Sequence, residues 1–141
     1  MLPMARKSKP QVFLETSALV RFLVADDTKK SAQVNDLLAR IEAGELRAVT
    51  SNIVWFELLY VLTTVYQFPR AKTAAAIAQL QSLRSLVTIE ETDSVQALAL
   101  WRSTKLPYGD CVIALQVPAG AALATFDRDF AKIDGVQLYI W

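Results

Sequence analysis

Four carboxylates stand apart from every other charge in the chain. Glu15 is the only charged residue between Lys9 and Arg21, Glu57 the only one between Arg47 and Arg70, and Asp110 the only one between Lys105 and Asp127. Asp127 itself closes the apolar run that reaches Thr125 and Phe126. A carboxylate in apolar surroundings is costly unless it is paired, hydrogen-bonded or bound to a cation. The neighbours of Glu57 at three- and four-residue spacing are Ile53, Val54, Tyr60 and Val61, and none carries positive charge. Glu57 therefore lies on an exposed strip, or rests against a hydroxyl, or meets a cation brought from elsewhere in the fold. Asp110 has a simple alternative role, because a negative charge is favourable in the first turn of a helix beginning near Tyr108. Taken singly, Glu15 and Asp127 read as first-turn helix acids and Asp93 as a cap.

Composition narrows the chemistry. The chain has no histidine, which removes Ser-His-Asp triads, His acid–base pairs and the common His-ligated zinc sites. Any reaction runs on carboxylates, hydroxyls, Lys or Arg. Cys111 is the sole cysteine, so no intrachain disulfide is expected and a reducing cytoplasm is the default location. No stretch approaches the ~20 uncharged apolar residues of a membrane span. The charged N-terminal residues are not followed by a signal-peptide core, because Glu15 interrupts it. With 141 residues, 53% of them hydrophobic, one domain with a full core is expected. The net charge of +1 excludes a globally basic nucleic-acid-binding surface and leaves only local Lys/Arg clusters for that role.

The elements that must position the four acids follow from periodicity. Residues 1–10 read as a loose basic tail, and 11–141 as one domain. Val12-Phe13-Leu14 is a short buried strand, followed by a helix from Thr16 to Val24 with Thr16 as its cap. Thr28 to Ala43 is an amphipathic helix with Ala32, Leu37, Leu38 and Ile41 on one side, ended by Gly44. Ala48 to Thr50 is a second strand. Ser51 or Asn52 caps a long apolar helix to about Tyr66, and Pro69 opens another to about Arg84. Val87 to Ile89 is a third strand. Asp93-Ser94-Val95-Gln96 is a capping box for a helix to about Arg102, and Tyr108 to Val117 is helical. Ala122 to Thr125 is a fourth strand, a short helix follows Asp127, and Gln137 to Ile140 is a candidate fifth.

Strands alternating with helices predict an α/β three-layer sandwich, with a central parallel sheet of four or five strands flanked by helices. Ligands in such folds sit outside the carboxyl ends of the strands. Two of the four acids then stand at strand ends, and two on helices flanking the same edge. Converging carboxylates repel one another, and a hard cation such as Mg²⁺ or Mn²⁺ relieves that repulsion with oxygen ligands. Such a site suits phosphoryl chemistry.

Four segments, in order, resemble the motifs of the PIN-domain ribonucleases, in particular the VapC-type toxins. Val12-Phe13-Leu14-Glu15-Thr16-Ser17 resembles the opening motif, an acid after the first strand followed by Thr and a small polar residue. Asn52-Ile53-Val54-Trp55-Phe56-Glu57-Leu58 resembles the second, Leu106-Pro107-Tyr108-Gly109-Asp110-Cys111 the third, and Ala124-Thr125-Phe126-Asp127-Arg128-Asp129-Phe130 the fourth. The resemblance implies a metal-dependent endoribonuclease that cleaves RNA with an activated water, using Mg²⁺ or Mn²⁺. It also implies an antitoxin protein as partner and a homodimer. Glu15, Glu57, Asp110 and Asp127 would be the metal ligands, with Thr16, Ser17 and Thr125 as supporting hydroxyls and Asp129 as an outer acid.

One position departs from the family pattern, which has Asp where this chain has Glu15. The extra methylene moves the carboxylate relative to a site built for short Mg²⁺–oxygen distances. That departure motivates a second reading, a catalytically impaired PIN domain that binds RNA or an antitoxin. A response-regulator receiver also clusters acids at strand ends, but Glu57 on a helix does not suit it. Arg21, Lys105 and Arg128 lie near the acids in sequence and are candidate phosphate contacts, with ordinary solvated charges as the alternative. For Trp55, Phe56, Tyr60 and Phe68, core or dimer packing is favoured over base stacking.

Overall fold

The computed structural model describes residues 9–141. Most of the basic tail expected over residues 1–10 lies outside the described residues. Among those described, four strands and six α-helices alternate: β1 (Gln11–Leu14), α1 (Thr16–Leu23), α2 (Thr28–Glu42), β2 (Arg47–Ser51), α3 (Asn52–Tyr60), α4 (Arg70–Gln81), β3 (Val87–Ile89), α5 (Ser94–Ser103), α6 (Tyr108–Gln116) and β4 (Ala122–Ala124). The sheet is wholly parallel, in the order β3-β2-β1-β4. Parallel neighbours need crossover connections, and each of the three here is a pair of helices. The result is the expected three-layer α/β sandwich. Val12, Phe13 and Leu14 are at most 1% exposed, as a central strand covered on both faces requires.

The order of strands decides where a site can form. From β1 the chain steps outward to β2 and β3, then returns across the sheet to lay β4 on the other side of β1. The direction of winding reverses between β1 and β4, and the crevice at their carboxyl ends is the expected ligand position. Glu15 follows β1 directly, and Thr125 follows β4. Helix α3 packs against both α1 and α6, which brings the remaining two acids to the same end.

Several elements differ from the periodicity reading. The candidate fifth strand, Gln137–Ile140, is only an isolated bridge between Leu138 and Leu123. β4 itself is three residues long, and the segment arrives from a turn at Gly135 with φ +84°. The long apolar helix stops being α-helical at Tyr60 and continues as a π-helical turn over Val61–Val65. This stretch is rich in β-branched residues, and Thr63 Oγ1 donates back to the Leu59 carbonyl at 2.7 Å, a bond that competes with helical geometry. The helix after Pro69 ends at Gln81 rather than Arg84, and Ser85 takes a left-handed φ of 59° in the turn that follows. In α2 the buried residues are Val34, Leu37, Leu38 and Ile41, while Ala32 is exposed. Ser51 occupies the cap position of α3, but its buried hydroxyl makes no hydrogen bond. Of the expected capping box of α5, the cap half forms, with Asp93 Oδ1 accepting from the Gln96 amide at 3.0 Å.

Candidate active site

The cap of α1 is Glu15, not Thr16. Its backbone is extended, with φ −95° and ψ 159°, and its carboxylate folds back onto the helix start. Oε2 accepts from the Ser17 amide at 2.9 Å, from the Ser17 hydroxyl at 2.6 Å and from the Thr125 hydroxyl at 2.7 Å. Both hydroxyls also accept: Ser17 Oγ from the Phe126 amide at 2.9 Å, and Thr125 Oγ1 from the Asp127 amide at 3.0 Å. Each has one proton, so both protons are committed to Glu15 Oε2. The Ser17–Thr125 approach of 3.1 Å is then a consequence of sharing that acceptor. Glu15 is 5% exposed. Burial raises its pKa above the usual carboxylate range, the Ser17 and Thr125 bonds oppose the rise, and Asp127 adds to it.

Thr16 serves the next acid. Its hydroxyl donates to Glu57 Oε1 at 3.2 Å, so the α1–α3 contact carries one of the two bonds foreseen for Glu57 in sequence, the hydroxyl. The other oxygen faces the start of α6, 3.5 Å from where a Cβ on Gly109 would sit. Burial holds the Glu57 carboxyl up to about 7, helped by the charges of Glu15 and Asp110 and opposed by the Thr16 bond. Asp110 lies in the first turn of α6. Burial, then the charges of Asp127, Glu15 and Asp129, push its pKa up to about 6, with no hydrogen bond to offset them.

Asp127 caps the 3₁₀ turn Arg128–Lys132, its Oδ1 accepting from the Asp129 amide at 2.9 Å. The four acids foreseen in sequence thus act on one another electrostatically at a single place. Among the described residues, none of the four is ion-paired; the ion pairs present are Arg21–Asp26, Arg40–Glu45 and Lys132–Asp129. Nor do any three acidic or thiol groups lie close enough to hold one ion between them as they stand. The donor set still fits a hard divalent cation: all the candidate ligands are oxygen, two carboxyls are driven toward protonation, and none of the four is ion-paired among the described residues.

The basic candidates divide. Arg21 is engaged by Asp26, its Nη1 donating to Oδ1 in an ion pair. Lys105 and Arg128 are exposed. Asp129, foreseen as an outer acid, is exposed and paired with Lys132 at 2.9 Å. Two contributors escaped the sequence reading. Lys30 on α2 places its ammonium 5.3 Å from the ring centroid of Phe126, the residue before Asp127. Trp141 donates its indole N–H to the Thr125 carbonyl at 3.0 Å, and no local pattern announces that contact.

The sequence pattern of the PIN domain matches residues 12–136. No curated protein matches the chain in sequence. In fold it is similar to VapC20 of Mycobacterium tuberculosis, a sarcin-ricin loop cleaving toxin, with a TM-score of 0.69 and 21% identity, covering 90% of this chain and 98% of that one. It is also similar to VapBC2 of Rickettsia felis, whose structure is bound to a DNA fragment from its promoter (TM-score 0.67, 18% identity, 93% and 98% covered). A third neighbour is PAE2754 of Pyrobaculum aerophilum (TM-score 0.62, 20% identity, 92% and 90% covered). At these identities the likeness is one of fold.

Proposed function

Because this chain belongs to the PIN-domain family, we propose that it is a Mg²⁺- or Mn²⁺-dependent endoribonuclease, the toxin of a toxin–antitoxin pair. What supports the proposal is geometric: Thr16, next to Glu15, holds Glu57, whose other oxygen faces Gly109 beside Asp110, and Thr125, two residues before Asp127, donates to Glu15, with none of the four acids ion-paired among the described residues. These four would hold the ion, directly or through water. When bound, it supplies Lewis-acid polarisation of a phosphodiester and lowers the pKa of an attacking water.

The chain's own groups do the rest. Ser17 and Thr125 fix Glu15 Oε2 and leave Oε1 as the oxygen available to the crevice. Thr16 orients Glu57. Lys105 and Arg128, exposed and near the acids in sequence, would meet RNA phosphates. The apolar side chains Phe56, Leu59 and Tyr60, between 43% and 67% exposed on α3, supply a face for a protein partner, the antitoxin or a second copy. Among the described residues, no helix is long and apolar enough to cross a membrane.

The test is cleavage of a structured RNA by the purified protein in Mn²⁺, with Asp110→Asn expected to abolish it. Equal cutting in excess chelator would refute a metal-dependent mechanism. A second reading, binding without cutting, draws on one observation: Glu15 replaces the family Asp and has Oε2 saturated by three donors. Glu15→Asp separates the two. A large gain in cleavage marks the natural chain as impaired, and no metal binding by either variant, measured by calorimetry, favours a pure interaction role.

A further inference from the structure

The segment after Gly135 runs beside β4 and delivers an aromatic cluster to the site. Leu123 donates to the Gln137 carbonyl and accepts from the Tyr139 amide, both at 2.8 Å. The Tyr139 hydroxyl accepts from Arg40 Nη1 on α2 at 2.8 Å. Residues two apart in an extended chain point the same way, and the Tyr139 and Trp141 rings meet edge to face at 5.0 Å. Trp141 thereby reaches residues 125–126. Its indole N–H bonds the Thr125 carbonyl at 3.0 Å, and its ring stacks on Phe126 with centroids 4.5 Å apart and planes 15° apart.

We propose that Trp141 is a positioning residue for the candidate metal centre, fixing the 125–127 segment that aims the Thr125 hydroxyl at Glu15 and presents Asp127. The inference rests on the reading of the site given above. β4 ends at Ala124, so Thr125, Phe126 and Asp127 lie beyond the ladder and are not held by strand pairing. Two bonds reach inward from them, Thr125 Oγ1 to Glu15 and the Phe126 amide to Ser17, and a third, from the Asp127 amide to Thr125 Oγ1, sets the segment's own turn. All three depend on the orientation of two peptide units. Trp141 holds that stretch from the other side by one carbonyl and one ring. Indole combines a stacking face with an N–H donor at its rim, and Phe supplies only the face.

The experiment compares the full chain with Trp141→Phe and Trp141→Ala, and with Ile140→Ala as a control, since Ile140 is 91% exposed in the same segment. Mn²⁺ affinity by calorimetry, kcat and KM for RNA cleavage, and amide hydrogen exchange at Phe126 and Asp127 are measured on each. Trp141→Ala is expected to weaken Mn²⁺ binding and kcat by ~10–100-fold, the range typical of groups that orient metal ligands, with KM little changed. Trp141→Phe is expected to fall between it and the wild type. Exchange should quicken at Phe126 and Asp127 while the amides of β1 stay protected, and Ile140→Ala should match the wild type. A Trp141→Phe protein that melts lower but keeps wild-type Mn²⁺ affinity, kcat and exchange overturns the inference and leaves Trp141 a packing residue. If the wild type itself binds no Mn²⁺, the reading of the site fails. The exchange comparison then decides the clamp alone: faster exchange at Phe126 and Asp127 in Trp141→Phe upholds it, and unchanged exchange rejects it.

Discussion

The two halves of the acidic site are built in opposite ways. At the strand ends, Glu15 Oε2 receives three hydrogen bonds, and the donors are themselves held by the Phe126 and Asp127 amides. On the helices, Glu57 has one bond from Thr16 and Asp110 has burial and like charges alone. The first half is pre-organised; its carboxylate stays in place whatever binds. The second half is electrostatically unsatisfied and gains most from a cation. A site divided this way fixes geometry on one side and stores the drive for binding on the other.

The largest expected effect tests the unsatisfied half. Glu57→Gln should lower RNA cleavage by at least ~100-fold, beyond what an outer-shell partner contributes. It should also raise the thermal stability of the metal-free protein, on the order of 3 °C per kcal/mol of repulsion relieved. Melting curves in chelator beside cleavage assays would check this; a loss of stability would show that Glu57 is satisfied after all. The strand-end half predicts the reverse sign. Thr125→Val removes a donor to a buried carboxylate and the acceptor of the Asp127 amide, and should destabilise the fold by ~1–3 kcal/mol in denaturant titrations.

The pH dependence sharpens the contrast. Glu57 ionises near 4.5 when unfolded but near 7 in the fold, and Asp110 moves from 3.8 to about 6. Between those values the native state holds more protons than the unfolded one, so stability falls as pH rises. In chelator, the melting temperature should drop from pH 4.5 toward 7, and Glu57→Gln should flatten part of that slope, leaving the share of Asp110 and Glu15. Mn²⁺ affinity should rise over the same window, because carboxyls must lose their protons to become ligands. A melting temperature independent of pH would contradict the coupling of these acids. The smallest effects belong to the exposed cations. Lys105→Ala and Arg128→Ala should each leave stability unchanged and lower the slope of log affinity for RNA against log salt by roughly 0.7–0.9.

Much of this was legible in the chain. The strands β1, β2 and β3 sit where short β-rich runs end in turn residues or caps, and the four acids were visible because each interrupts an apolar stretch. The alternation of elements was enough for a parallel sheet, and that sheet for a site at its carboxyl ends. Boundaries set by competing hydrogen bonds were less legible. The π turn after Tyr60, where Thr63 bonds back to the Leu59 carbonyl, and the single bridge at Leu138 beside a three-residue β4 are examples.

Sequence by itself determined the kinds of groups available: carboxylates and hydroxyls without histidine, spaced at the ends of apolar elements. Only the tertiary structure decided how they are used. It returned β4 to the far side of β1, put the Thr125 hydroxyl within reach of Glu15, and set Trp141 against the intervening peptide. The physical reason is range. Periodicity and isolated charges are local properties, written within a few residues. A hydrogen bond between residues 15 and 125, or an indole on the carbonyl of Thr125, exists only once a non-local strand pairing has formed, and no neighbour in the chain encodes it.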